Sequence, residues 1–206
     1  TFTGNEAFSG GAIGVKGDAG TRTSVTISGG VIGGTNPAEP NTAIANGNGG
    51  GGGIYIGTNC ALMLKDGAKV IGNSAKANGG GIYTAGAGSE VRIAGGEVSG
   101  NAANQGGGIY IGEGGKLYVN IDASGNPDGT SAQTVLENNH TDRRTSAQAY
   151  ASGGAIFCEK GIDLKLHNTK ISDCGPIVTT ANVKAYGAGL ALSGGGTATL
   201  TAVEIS

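Results

Sequence analysis

Three polar side chains on alternate positions of one short stretch, Asp163, Lys165 and His167 in GIDLKLHNTKISD, are the residues best placed for acid–base chemistry. Leu164 and Leu166 lie between them, and such alternation sends one set inward and the other outward along a strand. A carboxylate, an amine and an imidazole on one face could cleave an acidic polysaccharide if a second carboxylate or a bound calcium stood beside them. The preceding repeat offers Tyr118 and Asn120 at the equivalent outward positions, and no second carboxylate. A polysaccharide-active enzyme is therefore the runner-up reading, and no catalytic residue is assigned.

A second polar cluster, NHTDRRTSAQAY, contributes His140, Asp142, Arg143, Arg144 and Tyr150. Its arginines could grip carboxylate or phosphate groups bidentately; the simpler reading is solvated charge on a long loop. No metal or cofactor is expected. Cys60, Cys158 and Cys174 match no zinc spacing, and no calcium-roll GGxGxDxUx run occurs. GAGLALSGGG has no helical pattern behind it to hold a phosphate. Cys158 and Cys60 read as small buried hydrophobes, and the spacing leaves a Cys158–Cys174 bridge open.

The elements that must position these residues are repeats. Glycine supplies 44 of the 206 residues and proline only 4, just under the roughly 25–30% that marks unpatterned low-complexity chains. With charged residues at 14% and a net charge of −2, nucleic acid is not an expected partner. Apolar runs fall far short of the ~18 residues that span a bilayer, so no membrane insertion by this segment is expected.

A mark of the form apolar–x–x–Asn falls at Asn5, Asn73, Asn101 and Asn138, with Thr35 and Cys174 in the same place in IGGT and ISDC. A glycine cluster and an apolar–x–apolar triplet follow: IGV at 13, IYI at 54, IYT at 82, IYI at 109, IFC at 156 and LAL at 190. A second alternating pair comes next, such as Leu62/Leu64 or Val91/Ile93, then a single anchor such as Val98 or Ile171. Each unit reads as three period-2 strands joined by glycine-bearing corners, in about 27 residues where nothing is inserted. The expected fold is all-β: a single-stranded parallel β-helix, or β-solenoid, of about six coils with three strands per coil. Asn5, Asn73, Asn101 and Asn138 are expected to stack as a structural amide ladder, interrupted at Thr35 and Cys174.

In that fold the middle residue of each triplet faces outward. Tyr55, Tyr83, Tyr110 and Phe157 then form a ladder on the first wall, either a platform for a glycan or peptide partner or cross-strand stacking that stabilises the sheet. Insertions at 36–50, 139–152 and 175–186 leave from one edge, with a fourth at 122–134; loops gathered on one face of a repeat protein often mark its binding face. Both termini stop at the same phase of the repeat, so 1–206 is read as a single β-helix segment of a longer array.

FTGNEAFSGGAIG (2–14) and GNAANQGGGIYI (100–111) resemble the repeats of the chlamydial polymorphic membrane proteins, with their paired FxxN and GGAI motifs. FxxN is met literally by Phe2–Asn5, and GGAI by Gly10–Ile13 and Gly153–Ile156; other units carry relaxed forms. The resemblance implies a right-handed parallel β-helix on a bacterial cell surface, monomeric and extracellular, acting as stalk or adhesin toward a host-surface protein or glycan. It implies no catalytic residue. Its signal peptide and anchor are expected outside this segment.

Overall fold

A computed structural model describes all residues except 19, 37, 48, 131, 143–149 and 178–183. Among the described residues there is no helix, and the strands form long parallel sheets of the β-solenoid kind. One six-stranded sheet stacks the triplets Ile13–Val15, Ile54–Ile56, Ile82–Thr84, Ile109–Ile111, Ile156–Cys158 and Leu190–Leu192. Its register is in phase, with Ile54 opposite Ile82, Ile82 opposite Ile109, and Ile109 opposite Ile156. The first and third side chains of the triplets point into the core: Ile54, Ile56, Ile82, Ile109, Ile111 and Ile156 are fully buried.

The second pair and the single anchor, expected on separate walls, lie on one sheet. Cys60–Ile71, Glu90–Ser99, Ile162–Ser172 and Gly196–Ile205 each run through both positions as a single long strand. The bend between them is a bulge: pairing with the preceding strand shifts between Ala94 and Gly96, and Gly95 has a φ of 63°. A third sheet, built from strands as short as Ser74–Ala75 and Ala102–Ala103, was not visible as a wall in the sequence pattern. It begins directly after the ladder asparagine and buries small side chains, Ala43, Ala75 and Ala103, as a cluster of their own.

The asparagine marks need correction at two places. Asn5, Asn41, Asn73, Asn101 and Asn139 form the chain of amides: each Nδ2 donates to the next Oδ1, at 2.8 Å, 2.8 Å, 2.9 Å and 3.0 Å in turn. From Asn41 onward the other proton of Nδ2 goes to the carbonyl of the anchor residue one strand back, at Phe2, Ile32, Val70 and Val98. Asn138 is not a rung. It is exposed with a φ of 52°, in the place of the left-handed Gly72 and Gly100 that precede Asn73 and Asn101. Asn is among the few non-glycine residues that accept this conformation, so Asn138 turns the corner and Asn139 bonds along the axis. Thr35 is likewise not the rung of its unit; Asn41 is, fully buried.

At Cys174 the sequence departs from the pattern while the geometry does not. Its Sγ accepts from Asn139 Nδ2 at 3.9 Å, and its single S–H has the Ser172 and Leu136 carbonyls as acceptors at 3.1 Å and 3.6 Å. The thiol thus fills the amide's place with weaker bonds. All three cysteines are free.

The glycine clusters fit against this ladder. Gly106 has a φ of 57°, and a Cβ on it would sit 2.4 Å from the Ile109 carbonyl. A Cβ on Gly108 would meet the Ala155 carbonyl at 2.6 Å and the Asn139 amide at 3.0 Å. The asparagine and the glycine run are therefore two halves of one close contact.

Removing one amide leaves the two rungs beside it and a buried carbonyl unanswered, each a cost of roughly 1–3 kcal/mol. Asn101→Ala is expected to lower stability by about 3 kcal/mol or more in urea unfolding, whereas Asn138→Gly changes it by less than about 1 kcal/mol. Thr141 occupies the small-residue position after Asn139, with its hydroxyl buried and without a partner. Thr141→Ala is expected to stabilise by about 1 kcal/mol, read as a higher unfolding midpoint.

Candidate functional site

The triplet sheet carries its middle side chains in an uninterrupted stack. Ring centroids are 5.5 Å apart for Tyr55–Tyr83, 5.2 Å for Tyr83–Tyr110 and 5.2 Å for Tyr110–Phe157, with interplanar angles of 14°, 14° and 17°. Exposure decides what the stack can do. Tyr110 and Phe157 are only 5% and 8% exposed, and Tyr55 and Tyr83 are half-buried. Most of the ring area faces other rings, so the inner rungs hold the sheet together and offer little surface to a ligand. The Tyr110 hydroxyl donates to Glu159 Oε1 at 2.5 Å, and Glu159 Oε2 accepts the Glu113 amide. Burial, then the Glu159 carboxylate, pushes the Tyr110 phenol far above its usual range. Burial also raises Tyr83, helped by Tyr55 and Glu159. Both phenols stay protonated under physiological conditions.

The polar cluster at 140–150 does not begin as a loop. His140–Asp142 is a strand of the short-strand sheet, pairing His140 with Ala102 on one side and Gly175 on the other. Tyr150 opens a strand, Tyr150–Ser152, that pairs with Lys184–Tyr186. Arg143 and Arg144 lie outside the described residues. Within the stretches 139–152 and 175–186, the strands His140–Asp142 and Gly175–Ile177 continue the short-strand sheet.

The outward face of the long strands gathers a site that the sequence pattern showed only in part. Asp163 pairs in register with Lys116, and Lys165 with Tyr118. Tyr118 in turn lies opposite Arg92. The Tyr118 ring has the Arg92 guanidinium 4.6 Å from its centroid and the Lys165 ammonium at 5.5 Å, a double cation–π arrangement. Its hydroxyl donates to Asp163 Oδ2 at 2.5 Å. Burial, then this bond, pushes the phenol up to about 12. Arg92, Tyr118 and Lys165, together with Glu90, Lys116 and the turn Asp122–Gly125, line a cleft of about 270 Å³.

Arg92 fixes that cleft. Its Nη1 donates to the Ile121 and Asp122 carbonyls, both at 2.9 Å, and its Nε pairs with Glu90, which also holds Arg22 at 2.8 Å. Burial would raise Glu90, but Arg92 and Arg22 outweigh it and hold the carboxyl below its usual value. Glu90 and Arg92 could have been found from the sequence by reading the outward positions of EVRIAG against those of KLYVN. The third side chain of the sequence-predicted trio, His167, lies further along the same strand, its Nδ1 buried and without a partner. No group of three metal-ligating side chains occurs among the described residues. Asp163 and Tyr118 are committed to each other, which suits a braced surface better than a proton-transfer pair.

Compared with protein-family models, curated proteins and solved structures, the chain matches none.

Glu90 gives a pH test. Its folded value lies below the ordinary 4.5, so its contribution is complete above that pH and is lost as pH falls through the folded value. Glu90→Gln is expected to cost about 1 kcal/mol at pH 7 and progressively less as pH falls below 4.5, followed by thermal melts across the range. Tyr110→Ala, which empties a buried rung, is expected to cost about 3–5 kcal/mol in the same assay.

Proposed function

We propose that this chain is a segment of a right-handed parallel β-helix of about six coils, three strands to a coil, serving outside a bacterial cell as a structural and adhesive module. The observation that carries this reading is the axial amide ladder joined to the in-register aromatic stack. Both spend their polar and apolar capacity along the axis, as a rigid stalk requires. The FxxN and GGAI resemblance supplies the cell-surface setting. In this reading the segment is monomeric and non-catalytic, needs no cofactor and does not enter a membrane, and its partner is a host-surface protein or a glycan.

The second reading, a polysaccharide-active β-helix, is favoured by one feature: the cleft around Tyr118, with Lys165 and Lys116 on its rim and Asp163 bonded to the Tyr118 hydroxyl. Substrate cleavage there would need Tyr118 to release a proton held by burial and by Asp163.

The two readings separate in paired assays of the purified segment. Binding to a glycan array or to immobilised host-surface protein, with no release of unsaturated product from acidic polysaccharides with or without calcium, is the expected outcome. Turnover that disappears in Tyr118→Phe would overturn the adhesive reading in favour of the enzymatic one.

A further inference from the structure

The aromatic stack is closed at one end and open at the other. Beyond Phe157 its register partner is Ala191, 9% exposed and packed against the ring. Before Tyr55 the partner is Gly14, which brings no side chain. Its backbone is not in the left-handed region, and a Cβ built on it meets only the Ser9 carbonyl, at 3.8 Å. Neither conformation nor crowding calls for glycine here.

The missing side chain leaves a space where a further ring of the stack would lie. It is a cavity of about 370 Å³ lined by Phe8, Ser9, Gly14, Lys16 and Tyr55. Phe8 is 69% exposed, the highest value among the large hydrophobic side chains of the described residues. Lys16 is exposed and makes no ion pair with any described residue.

We propose that this slot binds a single pyranose ring bearing a carboxylate, an acidic sugar residue of a glycan, stacked on the outer face of Tyr55 with its charge on Lys16. The inference rests on the adhesive reading and narrows it to one end of the stack. The spacing is set by the stack itself, whose rings repeat every 5.2–5.5 Å with tilts of 14–17°. A ring above Gly14 simply continues that series. An apolar floor with a few polar groups at its edge is the usual make-up of a small-ligand pocket. The rim chooses the ligand class: a sugar presents an apolar face to Tyr55 and hydroxyls to Ser9, and a carboxylate answers the unpaired ammonium. An aromatic side chain of a protein partner would leave both polar groups unanswered. The cleft at Tyr118 cannot act in this way, because Arg92 and Lys165 already occupy its ring.

Saturation-transfer NMR with methyl β-D-glucuronide, methyl β-D-glucoside and N-acetyltyrosinamide tests the slot. The glucuronide is expected to bind, with the glucoside weaker by about fivefold for want of the charge. Gly14→Tyr, which supplies the missing ring from the chain itself, should weaken glucuronide binding by about tenfold or more with an unchanged circular dichroism spectrum. Should that variant fold poorly, Lys16→Gln and Phe8→Ala alter only exposed side chains: the first should abolish the preference for the charged sugar, the second should weaken both sugars. The proposal is overturned if the wild type shows no transfer to the glucuronide, if a folded Gly14→Tyr binds it undiminished, or if N-acetyltyrosinamide binds in its place. The same variants on the glycan array and host-surface assay keep the two readings apart. Adhesion that survives Gly14→Tyr overturns the slot as the site of adhesion and leaves the adhesive reading standing. Adhesion absent in the wild type ends the adhesive reading, while the glucuronide titration still judges the slot.

Discussion

The axial run of buried amides is the constraint on which the rest of this structure depends. A side-chain amide has two donors and an acceptor with two lone pairs, and burying them unmet would cost more than the surrounding apolar contacts recover. Only a neighbour of the same kind, in the same place one layer away, meets them repeatedly. Asn41, Asn73, Asn101 and Asn139 do so, each also bonded to the carbonyl of an anchor residue such as Ile32 or Val98. That arrangement fixes the register of everything attached to it. The glycine run must be flat where it passes the amide, the side chain two residues after the amide must be small, and the triplets must come into line. The aromatic stack is a consequence of this alignment.

The sequence carried much of the fold because the triplets obey strict alternation and recur with a constant relation to glycine. The amide register was less legible. A rung read from apolar–x–x–Asn alone lands on Asn138, since VLEN fits that pattern as well as VSGN does. The better signal lay on the other side of the rung. Ala follows two residues after Asn5, Asn41, Asn73 and Asn101, and Thr141 does so after Asn139, because that side chain fills the narrow space beneath the short-strand sheet. Two-residue strands leave almost no periodicity to detect, so a whole sheet stayed hidden behind it. The merging of two expected walls into one sheet has a similar origin: a bulge at glycine changes direction without ending the hydrogen-bond ladder.

The candidate surfaces were legible unevenly. Residues at alternate positions of one strand, Asp163, Lys165 and His167, could be placed on a common face by counting. Their true neighbours could not, because Arg92, Tyr118 and Lys165 come from three different strands and meet only through register. The aromatic residues were aligned by counting too, but counting says nothing of exposure. Tyr110 and Phe157 lie on the outward side of their strands and are nevertheless buried. The open end of the stack is a position without a side chain, and such a position leaves no mark in a search for chemically active residues.

The excursion between Val119 and Thr134 shows how such a scaffold takes on new parts. Asn120 stands where the chain departs, fully buried, with its Nδ2 bonded to the His167 and Asn168 carbonyls and its Oδ1 to Gly95. The returning Thr134 closes on that same oxygen at 3.2 Å. Departure and return are thus tied at one knot, and closing a loop across such a knot grows more costly only with the logarithm of its length. The fold can therefore lengthen or exchange the intervening residues without disturbing the layers on either side, which makes this the natural place for a graft.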